Sequence, residues 1–156
     1  MTPIQECIVK KKNNLSPIWL MRQAGRYLPE FRKIRKLNPN FINLCLDVNL
    51  SSRITLQPLK RFDLDAAIIF SDILMVPYGL GQNVTFKKNF GPELYNLDLE
   101  AMNNIKELEF SKKLLPVYKS IKKVKENKLI INKDLIGFVG APWTLLVYMI
   151  NKCSPK

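Results

Sequence analysis

The sequence predicts an α/β fold, and three observations predict it. Residues 17–21 (Pro-Ile-Trp-Leu-Met), 65–70 (Asp-Ala-Ala-Ile-Ile-Phe) and 135–139 (Leu-Ile-Gly-Phe-Val) are short apolar runs without polar alternation, as in strands covered on both faces. Each is followed by a segment with helical spacing, and strand–helix alternation argues for parallel βα units. The chain has 156 residues, 47% of them apolar and 24% charged, which is enough to bury one core. No internal repeat or low-complexity linker divides it, so residues 1–156 read as one domain.

The elements follow in order. Residues 1–16 are a polar lead-in with one helical turn. The first strand, residues 17–21, runs into a polar turn, Arg22-Gln23-Ala24-Gly25-Arg26-Tyr27, centred on Gly25. Pro29 opens a helix through Leu37, with Phe31, Ile34 and Leu37 spaced for one face. Asn38-Pro39-Asn40 breaks it. Residues 41–46 form a short helix. Asp47 caps a longer one that reaches about Arg61, with Pro58 kinking or ending it.

The second strand, residues 65–70, closes on Ser71 and Asp72. Pro77, Gly79, Gly81, Gly91 and Pro92 mark residues 73–97 as a long loop, with a hairpin around 84–88. Residues 98–108 form a short helix. Residues 110–127 form a lysine-rich one, with Ser111 near its start and Pro116 at odds with an unbroken first part. The third strand, residues 135–139, turns through Gly140-Ala141-Pro142-Trp143 into a helix starting at Thr144.

Lys and Arg number 25 against 13 Asp and Glu, a formal charge of +12, and histidine is absent. The absence excludes a Ser-His-Asp triad, a Cys-His pair and a histidine metal site within these residues. Lys10, Lys11 and Lys12 form one basic tract. Lys112, Lys113, Lys119, Lys122, Lys123, Lys125 and Lys128 form another, with Leu114, Leu115, Val117, Tyr118, Ile121 and Val124 at helical spacing among them. The plain reading is a solvated lysine face over a buried stripe; the alternative is a patch for nucleic acid or another polyanion. No nucleic-acid motif or Gly-rich phosphate loop accompanies it.

Cys7, Cys45 and Cys153 are too few and too scattered for a disulfide framework, which suits a reducing compartment. No signal peptide is visible. The longest weakly charged stretch, residues 135–150, is 16 residues with two glycines and a proline, short of the roughly 20 needed to span a bilayer. A cytoplasmic, soluble protein without a membrane partner is expected.

Parallel α/β proteins bind ligands at the carboxyl ends of their strands. The three strand ends carry Arg22, Gln23, Arg26 and Tyr27, then Ser71 and Asp72, then Trp143, Thr144 and Tyr148. Arginine grips carboxylates with a planar fork, and an aspartate accepts several N–H bonds. The set suits an anionic ligand that also offers N–H donors. Each residue has a plainer alternative: a surface or ion-paired arginine, an aspartate capping its turn, a tyrosine in the core.

Residues 17–32, Pro-Ile-Trp-Leu-Met-Arg-Gln-Ala-Gly-Arg-Tyr-Leu-Pro-Glu-Phe-Arg, resemble the amino-terminal signature of the uroporphyrinogen decarboxylase family. Residues 55–62 leading into 64–74, and residues 136–145, agree with the family in the same order. The resemblance implies a cofactor-free, metal-free lyase of haem and porphyrin biosynthesis on a TIM-like (β/α)8 barrel, a cytosolic homodimer. It implies uroporphyrinogen III as substrate and removal of its four acetate carboxyl groups to give coproporphyrinogen III. By position, Asp72 matches the aspartate that gathers the pyrrole N–H groups and stabilises the protonated pyrrole. Arg22 matches the arginine that holds a carboxylate and assists proton transfer, and Tyr148 the active-site tyrosine. Gln23, Ala24, Gly25 and Arg26 match further substrate-binding positions. Relatives on the same barrel that bind zinc through His and Cys lack this run.

A complete barrel takes about 250 residues, and only about the first three βα units are found here. The family's later serine and histidine have no counterparts, and residues 150–156 depart from its pattern. The chain is therefore expected to be the amino-terminal portion of such a barrel, a single incomplete domain inactive alone. It would work, if at all, with a complementary carboxyl-terminal chain. The alternative is a degenerate fragment or basic binding module without catalysis.

Overall fold

Two adjacent parallel strands form the middle of the fold. A computed structural model describes residues 1–11, 16–87 and 90–153. Strand β1 (Ala66–Ile68) pairs in parallel with β4 (Asp134–Ile136), with Ala66 opposite Asp134 and Ile68 opposite Ile136. The Ile69 N–H extends this pairing to the Ile136 carbonyl at 3.0 Å. Between them in sequence lies an antiparallel hairpin, β2 (Val84–Lys87) and β3 (Gly91–Leu94). Gly91 has φ +87°, a left-handed conformation that suits a residue without Cβ. The predicted hairpin is therefore present, although Lys88 lies outside the described residues, as do Lys12 and residues 154–156.

The helices surround these strands. They are α1 (Pro3–Lys10), α2 (Pro29–Leu37), α3 (Phe41–Leu46), α4 (Val48–Arg61), α5 (Met75–Gly79), α6 (Leu99–Asn104), α7 (Glu107–Lys125) and α8 (Pro142–Asn151). The Asp47 carboxylate caps α4 by accepting from the N–H groups of Asn49 and Leu50, both at 2.9 Å. Pro58 lies within α4, which ends three residues later with the Phe62 N–H on the Pro58 carbonyl. Pro116 does not break α7, which starts earlier than expected, at Glu107. Two helical segments exceed the sequence reading: α1 makes two turns rather than one, and α5 stands where only loop was expected.

Residues 17–21 are not a strand, which corrects the reading of three. They run beside the start of β1, with the Asp65 N–H on the Ile18 carbonyl at 2.9 Å. Side chains take over the rest of the ladder. The Asp65 carboxylate accepts the Ile18 N–H at 2.6 Å, and the Gln23 amide bridges Leu20 N–H and the Ala66 carbonyl. A strand needs successive backbone pairs, and these are diverted. The run is not buried either: Ile18, Trp19, Leu20 and Met21 are exposed, Met21 at 78%. Leu37, expected on the buried face of α2, is exposed at the helix end, while Phe31 and Ile34 are buried.

The main core joins Leu28, Phe31, Ile34, Cys45, Ile54, Phe70, Leu74, Leu145 and Met149. Phe70 is its hub, meeting Phe31 and Phe41 edge-to-face at 5.8 and 5.7 Å. Such pairs add about 0.5–1.5 kcal/mol each beyond the area they bury. A second cluster, including Leu56, Ala67, Ile69, Val124 and Ile130, fills the space between β1, α4 and α7. The lysine helix accordingly buries Leu114 and Val124 and presents its lysines to solvent, although Leu115 and Tyr118 of the expected stripe are also exposed. Among the described residues no helix is long and apolar enough to cross a membrane.

Candidate active site

Asp72 follows β1 by four residues, and the chain between is held tightly. Phe70 has both backbone groups tied to α4: its N–H donates to Thr55 Oγ1 at 2.8 Å, and its carbonyl accepts from Ser51 Oγ at 2.7 Å. Ser71 and Asp72 emerge from this anchor. Asp72 Oδ1 accepts the Leu74 N–H at 2.8 Å, so the aspartate does cap the turn after its strand. Oδ2 takes no hydrogen bond among the described residues. Burial pushes the Asp72 carboxyl above its ordinary range, opposed by the Leu74 N–H. The buried Cys45 thiol on α3 is pushed far up by its own burial and then by the Asp72 charge, with Arg35 opposing. Such a thiol is inert, and Asp72 acts on it as a near negative charge.

The signature turn is built from its own side chains. Gln23 is 2% exposed, and its amide is spent on Leu20 N–H (3.1 Å) and the Ala66 carbonyl (2.8 Å). The Tyr27 hydroxyl donates to the Gln23 carbonyl. Arg32 Nη1 donates to the carbonyls of Arg26 and Tyr27 at 2.9 and 3.1 Å. Glu30 takes a two-pronged bond from Arg61 at 2.6 and 2.9 Å, which ties α2 to α4 and holds its carboxyl below the usual range. Leu28, buried at the foot of the turn, packs in the main core.

This scaffold leaves Arg22 and Arg26 exposed at the surface. No hydrogen bond or ion pair among the described residues joins either to Asp72. Gln23 fastens the turn at Ala66, the start of β1, whereas Asp72 lies beyond its end. The Gln23 amide is thus committed to pinning the turn. Ala24 and Gly25 are half-buried, and Ala24 packs against the main core.

The third segment does come to the second. Gly140, after β4, lies against Ile73: a Cβ built on it would stand 3.1 Å from Ile73 Cβ and 2.6 Å from Leu145 Cδ2. The chain then enters α8, which carries Tyr148, half-buried against the core cluster that also holds Phe70 and Leu74. Trp143 and Thr144 are exposed. Asp72 and Tyr148 therefore flank one core, with Ala24 on its rim. The roles of Arg32, Tyr27, Glu30 and Arg61 were not foreseen, and spacing carries no signal for bonds that depend on how the turn folds back.

An exposed apolar surface borders this region. Trp19, Leu20 and Met21 lie on the side of the signature turn. Phe138, Val139, Trp143, Leu146 and Ile150 lie on the side of α8, with Trp143 74% exposed. Single exposed apolar residues are ordinary, whereas this region carries eight of them.

Residues 2–156 match the family model described as uroporphyrinogen decarboxylase (URO-D). The uroporphyrinogen decarboxylases of Rickettsia felis and Rickettsia africae are each 49% identical to this chain over 143 residues. Each match covers 92% of this chain and 41% of the relative. That of Rickettsia canadensis is 48% identical over the same length, 42% of its own. The chain thus spans about two-fifths of the length of the curated relatives it matches.

Proposed function

The chain belongs to the uroporphyrinogen decarboxylase family, and on that premise we propose that it supplies the amino-terminal part of an enzyme decarboxylating the four acetate side chains of uroporphyrinogen III to coproporphyrinogen III. The observation that carries the reading is Asp72: a half-buried carboxyl four residues beyond a parallel strand, with one oxygen committed to Leu74 and the other open. Pyrrole N–H groups supply the donors that such a carboxylate lacks. Bound so, Asp72 stabilises the positive charge of a protonated pyrrole as carbon dioxide leaves, the preplaced-charge form of catalysis. Arg22 and Arg26, exposed and free to reach, hold substrate carboxylates by their forks. Tyr148 lines the cleft from α8, and Ala24, Gly25 and the Gln23-pinned backbone shape its rim. The reaction draws on no metal or cofactor.

Residues 1–156 form one incomplete domain, about the first three βα units of a (β/α)8 barrel. The extended run 17–21 becomes its further strand once neighbours are supplied. The exposed apolar residues beside the signature turn and on α8 are the faces that the rest of the barrel covers. The chain is inactive alone. Its partner, in the cytoplasm, is a second copy in the family's homodimer or a complementary carboxyl-terminal chain.

The test is turnover of uroporphyrinogen III by the 156-residue chain, alone and mixed with the remaining carboxyl-terminal portion of the Rickettsia felis relative. Decarboxylation is expected only in the mixture, and Asp72→Asn or Arg22→Ala should remove most of it. Undiminished rates from both variants would refute the site, and a mixture that assembles without turnover would refute the reading.

A further inference from the structure

The faces of α4 carry two different kinds of residue. Ser51 and Thr55 fasten Phe70. Asn49, Ser52, Arg53, Leu56 and Lys60 recur at three- and four-residue intervals along another face, which meets the end of α7. A cavity of about 390 Å³ lies between the two helices. Its cations are Arg53, Lys60 and Lys123, all exposed, and no acidic residue lines it. Among the described residues none of the three is in an ion pair; Lys123 donates only to the neutral Asn49 side chain. Nearby acids are engaged elsewhere: Glu126 faces Lys122 at 4.0 Å, and Asp47 caps α4. The floor is apolar, with Leu56 buried and Leu129 half-buried in the second core cluster.

A groove lined by one sign of charge over a low-dielectric floor concentrates counter-ions of the opposite sign. Three cations that line one groove without a carboxylate leave their charge uncompensated, and a compact, multiply charged anion offsets it best. Arg53 offers a bidentate fork, and the two lysines offer point charges. The apolar floor suits the organic part of the ligand. We propose that the groove between α4 and α7 is a binding site for a phosphorylated small molecule, separate from the region around Asp72.

Tripolyphosphate is the probe, titrated calorimetrically into the full 156-residue chain at low salt. Saturable one-to-one binding is expected. The pair Arg53→Glu/Lys123→Glu should weaken it by about tenfold or more. A control pair on α2, Lys33→Glu/Lys36→Glu, makes the same change in net charge away from the groove and should leave the affinity within about twofold. Equal losses in both pairs would mean attraction by net charge alone and overturn the site. So would absence of saturable binding, and so would binding found only on vesicles containing phosphatidylglycerol, which would assign the cations to a lipid surface.

Discussion

Thr55 on α4 and Phe70 are joined two residues beyond the end of β1. Thr55 Oγ1 donates to the Ser51 carbonyl at 2.9 Å and accepts the Phe70 N–H at 2.8 Å, while Ser51 Oγ returns a bond to the Phe70 carbonyl at 2.7 Å. The ring of bonds satisfies both backbone groups of the last residue before Ser71-Asp72. An unpaired buried backbone group costs about as much as a lost hydrogen bond. Two helix hydroxyls thus hold the chain just beyond β1 in the way a paired strand would.

Thr55→Val keeps the shape of the side chain and removes the bond. The Phe70 N–H is then buried without a partner, since Thr55 is fully buried. The expected loss is about 1–3 kcal/mol of stability, read from the denaturant midpoint at unchanged slope. An unaltered midpoint would mean that water reaches Phe70 and that the ring is not needed.

Gln23→Leu tests the pin under the signature turn. Leucine fills much of the volume but leaves Leu20 N–H and the Ala66 carbonyl without their amide partner. Stability should fall by about 1–3 kcal/mol. Amide exchange should quicken at Leu20 and not at Phe70, whose N–H bonds to Thr55. If Gln23 served mainly to contact a ligand, the free chain would not notice the change.

The helices were legible because their signals are local. Asp47 before an apolar stripe, Pro29 at a helix start and Asn38-Pro39-Asn40 after one all act within a turn of the backbone. The strand at β1 was legible because Ala66, Ala67 and Ile69 must be covered; of the run 135–139 only the first two residues lie in β4, and Phe138 and Val139 are exposed. Residues 17–21 carried the same apolar signal and failed to become a strand. Their hydrogen bonds go to the side chains of Asp65 and Gln23, one of them 47 residues away, and no window of sequence reveals that. In the candidate site, the place of Asp72 in the turn that follows β1 was legible from pattern, although β1 ends four residues earlier. The burial of Gln23 did not, because an amide in a polar turn reads as exposed until its partner at Ala66 is known.

Gly140→Ala probes the contact between the loop after β4 and the Asp72 turn. A Cβ there would lie 2.6 and 2.8 Å from Leu145 side-chain carbons and 3.1 Å from Ile73 Cβ. Leu145 is buried and has little room to give. Overpacking of this kind costs about 1–3 kcal/mol. The thermal midpoint should fall, and Leu145→Ala in the same chain should recover part of what Gly140→Ala lost. Strict additivity of the two losses would show that the residues do not meet.

Asp72→Asn separates the two demands on that position. Burial raises the Asp72 carboxyl above 3.8, its value when unfolded. The folded chain therefore holds this proton at pH values where the unfolded chain has released it. Stability from this group is greatest below that unfolded value. It is lost as pH rises through the window up to the raised value, leaving above that value an ionised carboxylate that opposes folding. Asparagine keeps an oxygen for the Leu74 N–H and carries no charge. The variant should melt higher than the parent at pH 7, and the difference should vanish in acid below 3.8. Decarboxylation by the complemented enzyme should be lost in the same variant, since a neutral amide offers weaker compensation to a cationic pyrrole. Stability gained and turnover lost in one substitution is the pattern of a charge kept for its chemistry at the expense of the fold. A variant that melts lower at pH 7 would instead make Asp72 a turn cap whose charge the fold requires.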